Sequence, residues 1–166
     1  MAKEGFETFS VYRFSVDYPA VCRIEFNPKS RRESGDVAFH FPDREKVFLS
    51  WGKLEDAKKR FATPEDHAEH SIEVTRKNRQ VKNFERIKHD MLEVNSHRAA
   101  YNRAQMQQLS TSLLRTESTK KRETLSLHLH CEQSSRYFVM YTLLSPNAPE
   151  DFADLFLDMV QSFRCH

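Results

Sequence analysis

The last third of the chain constrains the fold more than any other segment. From Thr124 to Cys131 leucines alternate with polar residues, and after a short polar stretch a second apolar run extends from Tyr137 to Leu144. Alternation with period two is typical of a half-buried strand, and two such runs separated by a few polar residues predict a β-hairpin. The sequence therefore predicts a hairpin with its turn around Glu132–Ser135.

The segment after this hairpin predicts an amphipathic helix. Six apolar side chains recur at helical spacing and form one stripe: Phe152, Leu155, Phe156, Met159, Val160 and Phe163. Pro149 and two acidic residues precede the stripe, and both features favour a helix N-terminus. A stripe this regular is typical of a helix that packs on a core, so we expect the helix to cover one face of a sheet.

The front of the chain is predicted to consist of strands. Four short segments have apolar residues on a strand face, and they are Phe9–Tyr18, Val21–Phe26, Val37–Phe41 and Val47–Trp51. The connections between them are polar and contain proline or glycine, which mark turns. Four strands joined in this way indicate an antiparallel meander.

Two helices are predicted in the middle of the chain. Leu54–Ala62 forms a short helix, and the string Thr63-Pro64-Glu65-Asp66 supplies a hydroxyl cap, a proline at the first helical position and acids in the first turn. A second helix should therefore run from Pro64 to about Asn78.

The segment beyond these helices is predicted to return to strands. After a polar connection around Asn83, we expect strands at Ile87–Asn95 and Ala99–Gln107. The segment Leu109–Lys121 is rich in serine and threonine and is predicted to be a mobile loop.

Length and composition indicate one α+β domain spanning residues 1–166. The chain is 39% hydrophobic, which is enough for one core of ordinary size, and 30% charged, which calls for a large solvated surface. No apolar run approaches the ~20 residues that cross a bilayer, and the first residues lack the apolar block of a signal peptide. The expectation is a cytoplasmic protein without a membrane partner.

The three cysteines predict reduced thiols. Cys22, Cys131 and Cys165 are odd in number and show no spacing typical of a zinc site or a disulfide framework. We expect Cys22 and Cys131 to pack as small hydrophobic residues. Cys165 and His166 could ligate a metal together, but a terminal dipeptide normally frays, so no metal site is predicted there.

Charge is divided along the chain. Residues 76–122 contain twelve basic and four acidic residues, a net charge of +8, whereas residues 123–166 carry a net charge of −4. The basic segment either binds an acidic partner or nucleic acid, or is neutralised by neighbouring segments after folding. The second explanation is favoured, because the basic residues are spread over 47 positions and are not interleaved with stacking aromatic residues.

Four strings of the sequence resemble a known family: FSVDYPAVCRIEFNP from Phe14, LEVNSHRAAYNR from Leu92, RYFVMYTLLSP from Arg136 and DMVQSFRC from Asp158. They are similar to strings of the PsbP-like superfamily, which includes the extrinsic oxygen-evolving subunit of photosystem II, a Ran-GTPase nucleotide-release factor and many uncharacterised prokaryotic proteins. One departure is Ser96, which stands where the superfamily usually has glycine, so the turn there is expected to differ in backbone conformation. The resemblance implies an antiparallel β-sheet flanked by helices in a three-layer α/β/α sandwich. It also implies a binding or accessory role rather than a common catalytic site.

Histidines provide the candidate binding residues. Alternation places His128 and His130 on one strand face, about 6 to 7 Å apart and opposite the leucines. Two histidines at this spacing could share a metal, but a tetrahedral site needs three or four ligands, so covered or solvated histidines are the favoured interpretation. Together with His97 and Arg98 from the resembling turn, they are our candidate binding residues.

No catalytic residue and no cofactor is predicted. Three glycines are too few for a phosphate-binding loop, and the adjacent His130 and Cys131 point to opposite strand faces, which does not suit a nucleophile and its base. The sequence therefore predicts a non-enzymatic binding or accessory protein that acts through protein–protein contacts. Two alternatives remain: binding of nucleic acid or an acidic partner through residues 76–122, and weak metal binding through the strand histidines.

Overall fold

The computed structural model describes residues 3–111, 113–114 and 117–166 and contains nine strands and three helices in these ranges. The first five strands are β1 (Phe6–Val11), β2 (Phe14–Pro19), β3 (Arg23–Phe26), β4 (Gly35–His40) and β5 (Lys46–Lys53). The helices α1 (Leu54–Lys58) and α2 (Pro64–Arg76) follow. The remaining elements are β6 (Val81–Val94), β7 (His97–Thr111), β8 (Glu117–Cys131), β9 (Arg136–Leu144) and α3 (Phe152–Ser162).

Seven strands form one antiparallel sheet in the order β3-β4-β5-β9-β8-β7-β6. The helix α2 packs on one face of this sheet, mainly on β7 and β8. On the other face lie α3 and a separate two-stranded sheet formed by β1 and β2. The α+β class and the three-layer arrangement predicted from the sequence are confirmed.

The closing hairpin and helix are present where the sequence predicts them. β8 and β9 pair in antiparallel register, with Leu129 opposite Phe138, and Leu127 and Leu129 are buried on the α3 face. Five side chains of the apolar stripe are buried, including Phe163 just after the helix, and Leu155 is half-buried; Phe156 and Met159 are fully buried. Burial of each such side chain contributes about 1.5–3 kcal/mol before entropy is subtracted, so this unit makes a large contribution to the core.

The front of the chain differs from the prediction in one respect. The predicted single strand Phe9–Tyr18 is wrong, because the chain reverses at Tyr12 and Arg13 and forms the hairpin β1–β2. Both turn residues have positive φ, 50° and 63°, as in the two-residue hairpin turns whose twist matches that of the strands. Such turns usually contain glycine or asparagine, so Tyr-Arg gave no turn signal. The meander is confirmed for β3–β4–β5.

The middle of the chain contains more strand than predicted. α2 begins as expected, with the Thr63 Oγ1 atom accepting a hydrogen bond from the Asp66 backbone N–H at 3.1 Å. The predicted connection around Asn83 is instead an irregularity within β6, where the register shifts between Lys82 and Glu85. Asn83 has a φ of 51° there, a conformation that asparagine tolerates better than most residues.

The predicted mobile loop at Leu109–Lys121 is wrong for the part that the structure describes, because β7 and β8 extend through most of it. Ser112, Arg115 and Thr116 lie outside the described residues. Facing hydroxyl groups contribute to the pairing, and the Oγ atoms of Ser110 and Ser118 are 2.8 Å apart across the two strands. Serine and threonine thus serve here as cross-strand partners and not as turn residues.

The turn between β6 and β7 keeps a left-handed backbone despite the absence of glycine. Asn95 and Ser96 have φ values of 50° and 64°. Ser96 therefore lies in the left-handed region that favours glycine. Within the described part of the chain, every helix is too short or too polar to traverse a lipid bilayer.

Candidate functional site

Strand β8 sends its polar and apolar side chains to opposite faces of the sheet. Leu125, Leu127, Leu129 and Cys131 face α3, whereas His128 and His130 face α2. The placement of the two histidines away from the leucines agrees with the alternation in the sequence. Each face of β8 carries a cluster of histidines or cysteines.

The α2 face contains three histidines, one of which contacts the other two. His67 of α2 approaches both strand histidines: its Nδ1 atom is 3.3 Å from the His130 Nε2 atom, and its ring centre is 4.7 Å from that of His128. The Ser71 Oγ atom lies 3.1 Å from the His128 Nε2 atom. We call His67, His128 and His130 the histidine cluster.

Burial keeps the histidine cluster neutral at physiological pH. Burial, followed by the neighbouring His67 and His130, lowers the pKa of His128 to about 3. Burial and the neighbouring His130 lower the pKa of His67 to about 4, and burial also lowers the pKa of His130. Neutral imidazoles can pack between a helix and a sheet without the cost of burying charge, so the cluster joins α2 to the sheet.

His97 and Arg98, the other two candidate binding residues, lie on opposite faces of β7. Arg98 points to the α2 face and forms an ion pair with Glu65 of α2, with an N–O distance of 3.1 Å. His97 points to the α3 face and approaches Cys131. The four candidate residues therefore do not converge, because Arg98, His128 and His130 share one face and His97 belongs to the other.

On the α3 side, four side chains bring two sulfur and two nitrogen atoms together. His97, Cys131, Cys165 and His166 place their ligand atoms within 4.8 Å of one another. Among residues 3–111, 113–114 and 117–166 this is the one group of three or more His, Cys, Asp or Glu side chains that is so close. We call it the Cys/His cluster. Of its four members, His97 alone is among the candidate binding residues predicted from the sequence.

The C-terminal segment is held in place, so the expected fraying of Cys165 and His166 is wrong. Ser15 and Arg164 exchange two backbone hydrogen bonds, at 2.9 and 2.8 Å. The Arg136 Nη2 atom donates a hydrogen bond to the Cys165 carbonyl oxygen at 3.4 Å. Cys165 is fully buried as a result.

The two thiols of the Cys/His cluster differ in acidity. A hydrogen bond from Cys165, supported by His166, lowers the pKa of Cys131 to about 4, although burial opposes this effect. The same hydrogen bond, together with burial, raises the pKa of Cys165. The buried Arg136 guanidinium lies close to both sulfur atoms.

A groove of about 550 Å³ lies beside the histidine cluster, between α2 and the strands β7, β8 and β9. We call it the α2 groove. One side of the groove is formed by residues of α2, namely Ser71, Ile72, Val74 and Thr75. The other side is formed by residues of the sheet, which include His128, Val139, Tyr141 and Leu143. Val74, Tyr141 and Leu143 are exposed by 57%, 42% and 36%, which is high for apolar or aromatic side chains that adjoin one groove.

The basic residues of the middle segment are partly neutralised by acidic neighbours. Arg86 pairs with Glu69 of α2 at 2.7 Å, and Arg103 pairs with Glu123 of β8 at 2.6 Å. Arg98 pairs with Glu65 in the same way. Three arginines of the basic segment 76–122 therefore contact acidic side chains that lie outside this segment. This arrangement is the one expected if neighbouring segments neutralise the segment on folding.

Known structures resemble this chain in fold. No protein-family model matches the sequence, and no curated relative matches it. The solution structure of cyanobacterial PsbP (CyanoP) from Synechocystis sp. PCC 6803 is 10% identical with a TM-score of 0.59, and the match covers all of this chain and 95% of that one. A protein of unknown function from Pseudomonas aeruginosa, described as a putative regulator, is 11% identical with a TM-score of 0.54 and 97% coverage of both chains.

A further match shows the same architecture within a longer chain. A crystal structure from Bacteroides thetaiotaomicron is 11% identical with a TM-score of 0.55, and the match covers 98% of this chain and 49% of that one. At these identities the similarity concerns the fold alone. It agrees with the resemblance of the sequence strings, and the chain has the PsbP-like fold.

Proposed function

We propose that the protein is a non-enzymatic accessory protein that binds an apolar segment of a protein partner in the α2 groove. The groove itself is the observation that carries this proposal. Its volume of about 550 Å³ lies within the range of ligand-binding clefts, and it adjoins three solvent-exposed apolar or aromatic side chains. Contiguous exposed apolar surface commonly marks an interaction site.

The charges beside the groove favour a partner segment with acidic flanks. Arg122 lies next to the groove, where its Nη2 atom donates a hydrogen bond to the Leu143 carbonyl oxygen at 3.3 Å. Lys120 lies two residues away on the same strand face, opposite Gln108, which lines the groove. Positive charge at the rim attracts an acidic partner and disfavours a basic one.

The α2 groove is better suited to binding a partner than to catalysing a reaction. Three ionisable side chains line the groove, His70, His128 and Tyr141; the lowered pKa of His128 leaves it neutral, and its Nε2 atom is already in contact with Ser71. Nucleic-acid binding is supported less, because Arg86, Arg98 and Arg103 are paired with carboxylates. The exposed apolar surface of the α2 groove is therefore better explained by binding of an apolar protein segment than by either alternative.

Two matched peptide sets test the proposal by fluorescence polarisation. Both contain the same six apolar residues, flanked by Asp and Glu in one set and by Lys and Arg in the other. We expect saturable binding of the acidic set and at least a tenfold loss of affinity in Val74→Glu and in Leu143→Glu, since each places a charge in the groove. Val21→Glu is the control, because Val21 is 69% exposed and lies outside the groove.

Three results would contradict the proposal. They are equal binding of both peptide sets, equal binding by the groove variants, and turnover of generic hydrolase or transferase substrates at an ordinary enzymatic rate. Salt-sensitive binding of an oligonucleotide, lost on substitution of Lys120 and Arg122, would instead favour the nucleic-acid alternative.

A further inference from the structure

We propose that His97, Cys131, Cys165 and His166 form a structural zinc site. This inference is independent of the proposed partner binding, because the Cys/His cluster and the α2 groove lie on opposite faces of the sheet. It concerns a ligand of different chemistry, a divalent cation held entirely by the protein.

Three of the six separations between ligand atoms are close to those of a tetrahedral site. With Zn–S bonds of about 2.3 Å and Zn–N bonds of about 2.0 Å, adjacent S and N ligands of a tetrahedron are roughly 3.5 Å apart. The Cys131 Sγ atom lies 3.7 Å from the His97 Nε2 atom and 3.7 Å from the His166 Nδ1 atom. The Cys165 Sγ atom lies 3.2 Å from the His166 Nδ1 atom. The other pairs of ligand atoms lie within 4.8 Å of one another, so shifts of about 1 Å or less would bring the four atoms into coordination.

Three segments of the backbone present the ligands, and each is anchored. His97 begins β7 and pairs with Val94, and Cys131 ends β8 and pairs with Arg136 of β9. Cys165 follows the backbone bridge between Ser15 and Arg164. A site whose ligands are already positioned requires little ordering when the ion binds.

The chemistry of the donors selects zinc among common cations. Two thiols and two imidazoles suit Zn²⁺, whereas Mg²⁺ and Ca²⁺ prefer oxygen ligands. Two thiolates would also balance the charge of the ion, which suits a largely buried site. Four protein ligands close a tetrahedron and leave no position for a substrate, which is typical of structural rather than catalytic zinc.

The surroundings support thiolate ligands. The Asn95 Nδ2 atom donates to the Cys165 Sγ atom at 3.5 Å, and the same atom lies 3.5 Å from the His166 Nδ1 atom. Hydrogen bonds of this kind orient metal ligands from outside the coordination sphere.

Metal titration of the reduced full chain tests the proposal. Protein freed of metal with a chelator and kept reduced is titrated with Zn²⁺ and, separately, with Co²⁺. We expect one equivalent of either ion per chain, with Co²⁺ giving the intense visible bands of a tetrahedral site and the ultraviolet charge-transfer bands of thiolate ligands. Zinc at a thousandfold excess over its Kd should raise Tm by on the order of 10 °C.

Variants identify the ligands. We expect His166→Ala to weaken zinc binding at least tenfold without unfolding the protein, because His166 is exposed, and Cys165→Ser to remove one thiolate from the cobalt spectrum. Cys22→Ser and His70→Ala are the matched controls, since Cys22 and His70 lie outside the cluster, and both should bind one equivalent.

Less than one equivalent of zinc in the reduced wild-type protein would overturn the proposal. Unchanged affinity in both ligand variants would do the same, as would a Cys131–Cys165 disulfide with no zinc uptake after reduction.

Discussion

His128 illustrates how a single residue couples the structure to pH. Its side chain is 2% exposed, its Nε2 atom contacts Ser71, and burial lowers its pKa to about 3. An unfolded chain would expose the same imidazole with a pKa of about 6.5. The unfolded state therefore binds a proton between these two pH values that the folded state does not bind.

We expect the free energy of unfolding to fall as the pH decreases from about 6.5 towards 3. A depressed folded-state pKa means that the stability is fully present above the unfolded pKa and is lost as the pH falls. For His128 alone the loss between pH 7 and pH 4 is on the order of 3 kcal/mol. Urea unfolding at several pH values measures it, and His128→Leu should flatten the profile. An equally steep profile in that variant would show that other groups cause the acid sensitivity.

The candidate site could be predicted only in part, because its residues are distant in sequence. The pairing of His128 with His130 follows from alternation alone. The approach of His67 depends on the way α2 lies across the sheet, and the meeting of His97 with Cys131 depends on the register of β7 against β8. One signal was available, since Cys131 continues the alternation of the leucines and therefore had to face the closing helix.

At the scale of elements, the best predicted units are those with long regular patterns. The β8–β9 hairpin and α3 follow from period two and from the helical stripe, and α2 follows from its capping signal at Thr63. The errors lie where turn chemistry is unusual. Tyr12 and Arg13 form a tight turn without glycine, and the hydroxyl-rich segment that resembles a loop is paired strand.

The turn between β6 and β7 offers a direct measurement of backbone strain. Ser96 has a φ of 64°, which costs an L-residue with a Cβ atom more than it costs glycine. We expect Ser96→Gly to raise the free energy of unfolding by about 0.5–1 kcal/mol and Ser96→Val to lower it by about 1–3 kcal/mol. Chemical denaturation of the three proteins gives the comparison. Destabilisation by glycine would mean that the serine side chain contributes more than the strain costs.

For the whole molecule, the unequal lengths of the strands leave part of the sheet edge open. β9 ends at Leu144, opposite Glu123, so residues 117–122 of β8 extend beyond it and pair with β7 alone. Three consecutive cations lie on this overhang: Lys120, Lys121 and Arg122. Positive charge on an open edge opposes pairing with the same edge of a second copy.

We expect the double substitution Lys120→Gln and Lys121→Gln to increase self-association, because it removes two of these charges. Sedimentation velocity at low and high ionic strength measures the effect, and salt should bring the wild-type protein towards the variant by screening the repulsion. The control is the double substitution Lys58→Gln and Lys59→Gln, which changes the net charge by the same amount at a distance from the overhang. Its self-association should remain like that of the wild-type protein. Similar association of both double variants would assign the effect to net charge alone.

The position of β9 between β5 and β8 has a consequence for the order of folding. Trp51 of β5 lies opposite Phe138 of β9, so among the described strands β9 alone pairs the front half of the sheet with the back half, and β9 follows β5 by a long stretch of chain. Pairings between distant parts of a chain slow folding, since the intervening chain must be closed first. During translation the β5 edge of the meander β3–β4–β5 therefore stays unpaired until β9 has been made, and an unpaired edge of this kind is open to pairing with other chains.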